Sequence, residues 1–310
     1  MKRQITIGTR ASPLALVQTQ KVRDALLAAH GWSAEAIKAR EIITRGDAIL
    51  DKPLADIGGK GLFTQELDDG LRQATLDLAV HSLKDMPTED EPGLVIAAIL
   101  PREDARDVLV PRAGLQLKNG LADLPQGAKI GTASLRRKAQ ILQARPDINI
   151  TSLRGNVGTR LSKIAADGLD GTILALAGLK RLGLSPDGAV PIAPQVMVPA
   201  AGQGALAVQC RADDDEMQHW LSALHCAATA ACVTAERRFL NALDGSCRTP
   251  IAAYAEIAGD QLVLTGRLLS DEGDDCAEGQ MRGPIADAAA LGAELAAQLK
   301  AEKPHLVRGR

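Results

Sequence analysis

Gln4–Gln18 reads QITIGTRASPLALVQ, and this stretch decides the fold. Its opening alternates apolar and polar residues, which predicts a strand over Gln4–Gly8. Ser12-Pro13 follows, a helix N-cap with proline at the first helical position. Leu14, Val17, Val22, Leu26 and Leu27 then supply the apolar stripe of that helix. The same signals return in Ala128–Leu142, AKIGTASLRRKAQIL. There Ile130-Gly131-Thr132 echoes Ile7-Gly8-Thr9, and Ser134 caps a helix over Leu135–Ala144. Two strand-to-helix units that end alike suggest two similar lobes. A cleft between such lobes is lined by strand ends and helix N-termini, where ligands bind.

Outward from these two units the chain keeps alternating. Strands are predicted at Ala39–Thr44, Leu76–Leu83, Leu94–Leu100, Asp107–Val110, Lys129–Gly131, Ile148–Ser152 and Thr172–Ala177. Helices are predicted over Gly61–Gln73, from Gly158 through Ala166, and over Leu179–Leu182. This rhythm implies largely parallel, doubly wound sheets covered by helices. Pro101–Asp104 reads as a crossing from the first lobe to the second, and Pro191–Pro199 as the return. Asp213–Glu216 reads as a solvated loop or helix start. After Ala227 come a helix through Leu243, strands at Ile251–Ile257 and Gln261–Leu269, and a last helix over Ile285–Ala301. The expectation is an α/β protein of three domains. Residues 1–100 with 200–226 form one lobe, 101–199 the second, and 227–310 a small α+β domain.

Composition narrows the function. Hydrophobic residues are 46% of the 310 but aromatics only 2%, so the cores must be built from Leu, Ile, Val and Ala. A net charge of -2 argues against nucleic acid as a partner, and any anion site must come from local placement of Arg and Lys. The five cysteines are odd in number and lack a CxxC pair, which argues against a disulfide framework. His219, His225, Cys226 and Cys232 cluster without paired ligand spacing, so no metal is expected. The opening MKRQITIGTR is too quickly polar for a secretory signal, and no run of 18 apolar residues suggests a membrane span. A cytoplasmic monomer is the expectation.

Three basic clusters sit where a strand hands over to a helix: Arg10 with Ser12, Ser134 with Arg136 and Arg137, and Arg154 with Arg160. Cations at helix N-termini oppose the macrodipole. Repeating the arrangement makes sense if an anion sits there, held by backbone N–H groups and guanidinium forks. A ligand with several carboxylates or phosphates follows. Gly58–Gly61 lacks the Ser/Thr of a P-loop, and Gly202–Ala207 fits GxGxxA without a clear preceding strand, so neither argues for a nucleotide. Lys84 and Asp85 end an apolar strand and, by alternation, should point to different sides. An acid among cations there suits a cationic intermediate; the plain alternative is a loop ion pair. Cys247 lies in the small-residue turn Asp244–Pro250, which marks it as a nucleophile or attachment point; Cys210, Cys226 and Cys232 read as packing residues.

Eight strings in this order resemble the porphobilinogen deaminase family: Thr44–Asp47, Gly58–Phe63, Val80–Asp85, Gly131–Arg137, Ser152–Arg160, Leu176–Leu184, Pro199–Ala205 and Asp244–Pro250. The resemblance spans almost the whole chain. It implies two lobes like those of periplasmic binding proteins, a third domain, and a dipyrromethane cofactor joined by a thioether to Cys247. It implies a transferase of haem biosynthesis that condenses four porphobilinogens head-to-tail, loses ammonia at each step, and frees hydroxymethylbilane by hydrolysis. Asp85 would be the catalytic acid. Lys60, Lys84, Ser134, Arg136 and Arg137 would hold the cofactor's acid groups, while Arg10, Ser12, Arg154, Arg160 and Arg181 would bind substrate and growing chain. Asp56 departs from the family's usual lysine, and Lys52, four residues earlier, is the nearest cation not given to the cofactor. The rival is a two-lobed polycarboxylate-binding protein without catalysis; a Cys-dependent hydrolase is weaker, since no histidine is evidently paired with Cys247.

Overall fold

The computed structural model describes residues 4–48, 61–89, 91–243 and 249–307. β1 (Ile5–Arg10) buries Ile5 and Ile7, and Ser12 then accepts from the Ala15 N–H at 3.3 Å to start α1 (Pro13–His30). α1 ends at Gly31, whose φ of 64° suits glycine. Val22 and Leu26 are buried as expected, but Val17 is exposed; Gln18 and Thr19 take the inward places instead. β2 (Ile37–Ile42), the short α2 (Arg45–Ala48), α3 (Gln65–Arg72), β3 (Leu78–Ser82) and β4 (Leu94–Ile99) follow.

The second stretch carries β5 (Asp107–Pro111), β6 (Lys129–Gly131), α4 (Leu135–Ala144), β7 (Asn149–Thr151), α5 (Val157–Ala166), β8 (Gly171–Ala175), α6 (Leu176–Arg181) and β9 (Val190–Pro191). The chain then returns through β10 (Leu206–Arg211) and α7 (Asp215–Ser222). Asp214 accepts from the Met217 N–H, so the acidic run at 213–216 is a helix start. Last come α8 (Ala227–Ala242), β11 (Ile251–Ala258), β12 (Gln261–Leu269), β13 (Cys276–Pro284) and α9 (Ala288–Glu302).

The two large sheets have the same plan. One runs β2-β1-β3-β10-β4 and the other β7-β6-β8-β5-β9. In each, the first three strands are parallel and the last two pairings antiparallel. Gly8 and Gly131 occupy matching places on β1 and β6, and both meet leucines. A Cβ on Gly8 would lie 2.5 Å from Leu76 Cδ1, and one on Gly131 2.7 Å from Leu169 Cδ1. The echo read in the sequence is therefore a packing requirement met twice. α1 packs on one face of the first sheet with Ile5, Ile7 and Val80, and α3 on the other with Leu67, Leu71 and Ala79. That sheet is doubly wound.

α8 and α9 cover the antiparallel sheet β11-β12-β13. Sequence reading gave this domain two strands, and β13 is the third. Its inward positions are Ala277, Gly279, Met281 and Gly283, mostly too small to leave an apolar period. They are small because α9 approaches closely: a Cβ on Gly279 or Gly283 would lie within 3.0 Å of Leu295 or Leu291.

Two compact units result. Of the described residues, one takes 4–48, 61–103 and 205–230, and the other 104–204 and 231–307. Within the second unit, the segment Gln195–Gln203 is bound from several sides. Arg267 of β12 donates to the carbonyls of Gln195 and Val196, and Gln140 of α4 binds both N–H and C=O of Val198. The buried Glu236 of α8 accepts from the N–H groups of Gly202 and Ala255.

Candidate active site

In the first unit, the carboxyl ends of β1 and β3 and the first turn of α1 frame a pocket whose lining includes Arg10, Ser12, Phe63, His81, Ser82 and Asp85. Arg10 shares the Gly8 side of β1, the side that α3 covers. Its guanidinium lies 4.2 Å from the centre of the Phe63 ring, and Nη1 is 3.8 Å from Asp85 Oδ2. Cation–π contact on that scale contributes about 0.5–2 kcal/mol. The wider 3.8 Å separation is an ion pair without a hydrogen bond. Lys84 and Asp85 do not alternate along a strand as expected. β3 stops at Ser82, and both residues lie in the 3₁₀ turn Leu83–Asp85, which strand geometry does not govern. Both are half-buried.

A buried polar line runs behind this pocket. His81 Nε2 lies 3.1 Å from Gln209 Oε1, and burial drives the imidazole down to about 4, with the Arg10 charge adding to the effect. Asp68 of α3 is also buried, and burial raises its carboxyl to about 6 against hydrogen bonds that lower it, the Gln209 amide among them.

The second unit gathers Arg136 and Arg137 in the first turn of α4, where Ser134 accepts from the Arg137 N–H at 3.4 Å. Sequence reading assigned these arginines to a ligand anion; the fold supplies an anion of its own. Asp107 at the start of β5 is fully buried and 2.8 Å from Arg136 Nη2 and from Arg137 Nη2. Burial alone would raise the Asp107 carboxyl, but the two guanidiniums outweigh it and hold it at about 2. Arg136 also donates to the Val198 carbonyl and Arg137 to that of Ile173. Among the described residues, one donor on the first arginine, Nε, is buried without a partner, as is Nη1 of Arg154. Arg160 donates from Nε to the Gly155 carbonyl, and Arg181 donates to that of Gly204. Buried donors of this kind fit carboxylates.

Cys247, Lys60, Asp56 and Lys52 lie outside the described residues. Phe63, His81, Gln209 and Asp107 were missed as site residues. Phe63 and His81 stand inside quoted strings, but nothing in their spacing marked them. Asp107 meets its arginines 29 and 30 positions away, which no local pattern reveals.

An α/β scaffold that carries a carboxylate beside arginines at strand ends, with spare guanidinium donors, defines a class: an enzyme for a small substrate bearing several acid groups. The comparisons give the family. Residues 5–219 match the model described as porphobilinogen deaminase, dipyromethane cofactor binding domain, and 230–301 that of the porphobilinogen deaminase C-terminal domain. The porphobilinogen deaminase of Nitrobacter winogradskyi is 49% identical over 296 residues, 95% of this chain and 92% of its own. That of Paracoccus denitrificans is 47% identical over 300 residues, 97% of this chain and 95% of its own. An arginine-specific periplasmic binding protein of Salmonella typhimurium is a distant structural likeness: 15% identity, TM-score 0.38, 74% of this chain and 94% of that one. The chain belongs to the porphobilinogen deaminase family. It is a transferase of tetrapyrrole and haem biosynthesis with a dipyrromethane cofactor.

Proposed function

We propose that Asp85 contacts the reacting pyrroles, and that Cys247 carries the dipyrromethane through a thioether. The observation that carries the reading is Asp85 in the 3₁₀ turn after β3, 3.8 Å from Arg10 and lining the same pocket as Ser12. A substrate acid group draws on Arg10 and the α1 N-terminus, which leaves the Asp85 carboxylate beside the substrate ring. When ammonia leaves, positive charge develops on the substrate's methylene and pyrrole, and a fixed carboxylate stabilises it. The cofactor, when bound, supplies the pyrrole carbon that attacks.

Lys60, Lys84, Ser134, Arg136 and Arg137 hold the cofactor's acid groups. The unpartnered Nε of Arg136 supports this, because Asp107 leaves that donor unused. Arg10, Ser12, Arg154, Arg160 and Arg181 bind the substrate and growing chain, each charge-assisted bond contributing roughly 1.5–3 kcal/mol. Head-to-tail condensation of four porphobilinogens and hydrolytic release of hydroxymethylbilane complete the reaction. The C-terminal sheet keeps a core of its own around Phe239 and Leu295, which supports a third domain at 227–310 beside lobes of 1–100 with 200–226 and 101–199. The chain acts as a cytoplasmic monomer without nucleic acid. In support, its net charge is -2, and no helix among the described residues is long and apolar enough to cross a membrane.

Asp85→Asn tests the central role. The variant should retain the cofactor by intact mass and lose turnover by on the order of 10²-fold or more. Near-normal turnover would refute it; a wild-type protein with neither turnover nor the cofactor mass would favour one that merely binds polycarboxylates.

A further inference from the structure

The buried line behind the pocket is not used by the mechanism above. His81 faces the α3 side of the first sheet, the side of its strand neighbour Ala79, and lines the same pocket as Asp85. Its 5% exposure, with 3% for Gln209 and 2% for Asp68, places all three in the interior. Direction of donation settles their arrangement. The Gln209 carbonyl oxygen faces His81 Nε2, and the same amide lowers the Asp68 carboxyl. A carbonyl only accepts, so the imidazole must donate from Nε2. A neutral ring that donates from Nε2 keeps a lone pair on Nδ1. No hydrogen bond to that Nδ1 forms among the described residues.

We propose that His81 presents this lone pair to the aminomethyl nitrogen of the substrate, and that Gln209 and Asp68 are the residues that position it. The proposal rests on the family's deamination and on the pocket of Asp85. In that reaction the C–N bond breaks, its electron pair goes to nitrogen, and positive charge stays on the substrate's methylene carbon. Nitrogen must be an ammonium beforehand, so that it departs as neutral ammonia. Its protons therefore need an acceptor that hydrogen-bonds them without removing them. A neutral imidazole of depressed basicity does this, whereas an imidazolium would repel the ammonium. The charged group that acts on the ring is Arg10 from β1; Asp85 from the 3₁₀ turn lines the same pocket, and Asp68 from α3, on which Arg72 and Glu91 act, lies beyond Gln209. Burial and Arg10 hold His81 at about 4, which keeps it neutral at physiological pH.

Imidazole ¹⁵N spectra of the cofactor-loaded enzyme test the arrangement, with the His81 signals identified by their loss in His81→Gln. The expected result is a neutral Nε2–H ring at pH 7, with the fixed tautomer lost in Gln209→Leu. Kinetics test the role. Gln209→Leu and His81→Gln should each lower kcat about tenfold or more while KM stays within about twofold. His81→Asn, whose amide oxygen stands near the place of Nδ1, should recover part of that loss. Intact mass establishes that each variant carries the cofactor, which separates failure of this proposal from failure of the family reading. A protonated or Nδ1–H ring in the wild-type enzyme overturns the proposal. So does a loaded His81→Gln or Gln209→Leu enzyme with unchanged kcat.

Discussion

Asp107 decides what Arg136 and Arg137 can do. One buried carboxylate serves two guanidiniums and also accepts from the Gln203 amide at 3.0 Å. The pair of arginines is thus fixed before any ligand arrives, which is how preorganised anion sites gain strength. Removing the carboxylate leaves two buried cations without a counter-charge. Asp107→Asn should destabilise the protein by about 3–5 kcal/mol in denaturant unfolding; a loss under about 1 kcal/mol would mean that solvent or a neighbour replaces it. Replacing Arg136 and Arg137 together by Leu should leave folded protein largely without the two-pyrrole mass, because Asp107 tolerates loss of both cations poorly but the acid groups of the cofactor tolerate it less. A fully loaded double variant would contradict the assignment. Arg10 has the opposite character. It lies at the pocket, over Phe63 and 3.8 Å from Asp85, whose carboxylate is half-buried where that of Asp107 is fully buried.

At the scale of elements, the same strand end is built twice. Gly8 and Gly131 let Leu76, between α3 and β3, and Leu169, between α5 and β8, come close to β1 and β6. Gly8→Ala and Gly131→Ala should each cost about 1–3 kcal/mol by overpacking. Equal unfolding free energies for Gly8→Ala and wild type would show that Leu76 yields freely. This echo was legible in the sequence because it is local, as were the caps at Ser12 and Ser134. β13 was not legible, since Ala277, Gly279 and Gly283 are small to admit α9 and leave no apolar alternation. The turn carrying Asp85 was misread as strand, because the apolar run continues through Leu83 after the pairing has ended. Arg10, Ser12 and Asp85, singled out on contiguous motifs, line one pocket. The site was not legible where partners are distant, as with His81 and Gln209, 128 positions apart.

The molecule as a whole should answer to pH through opposed buried groups. His81 is held down at about 4, so its stabilisation is complete above about pH 6.5 and is lost as pH falls toward 4. Asp68 is raised to about 6, so its ionised form costs stability above about pH 6, and that cost fades as pH falls toward 3.8. Each shift corresponds to about 3 kcal/mol, with opposite signs over nearly the same window. Stability from these two groups should stay nearly flat between about pH 6.5 and 4. Below about pH 3.8 it should fall as Asp107, held at about 2, takes up its proton. Asp68→Asn should raise stability at pH 7 and uncover the acid loss due to His81; an unchanged pH curve would mean that the fold does not raise the Asp68 carboxyl. The central claim is that this chain builds its product on a two-pyrrole cofactor held by Cys247. Intact mass of the purified protein tests it most directly. The wild-type chain should exceed its sequence mass by two linked pyrrole units, and folded Cys247→Ser should show no such gain. A wild-type protein at its bare sequence mass that still turns over porphobilinogen would contradict the account, as would a Cys247→Ser variant that keeps the full gain.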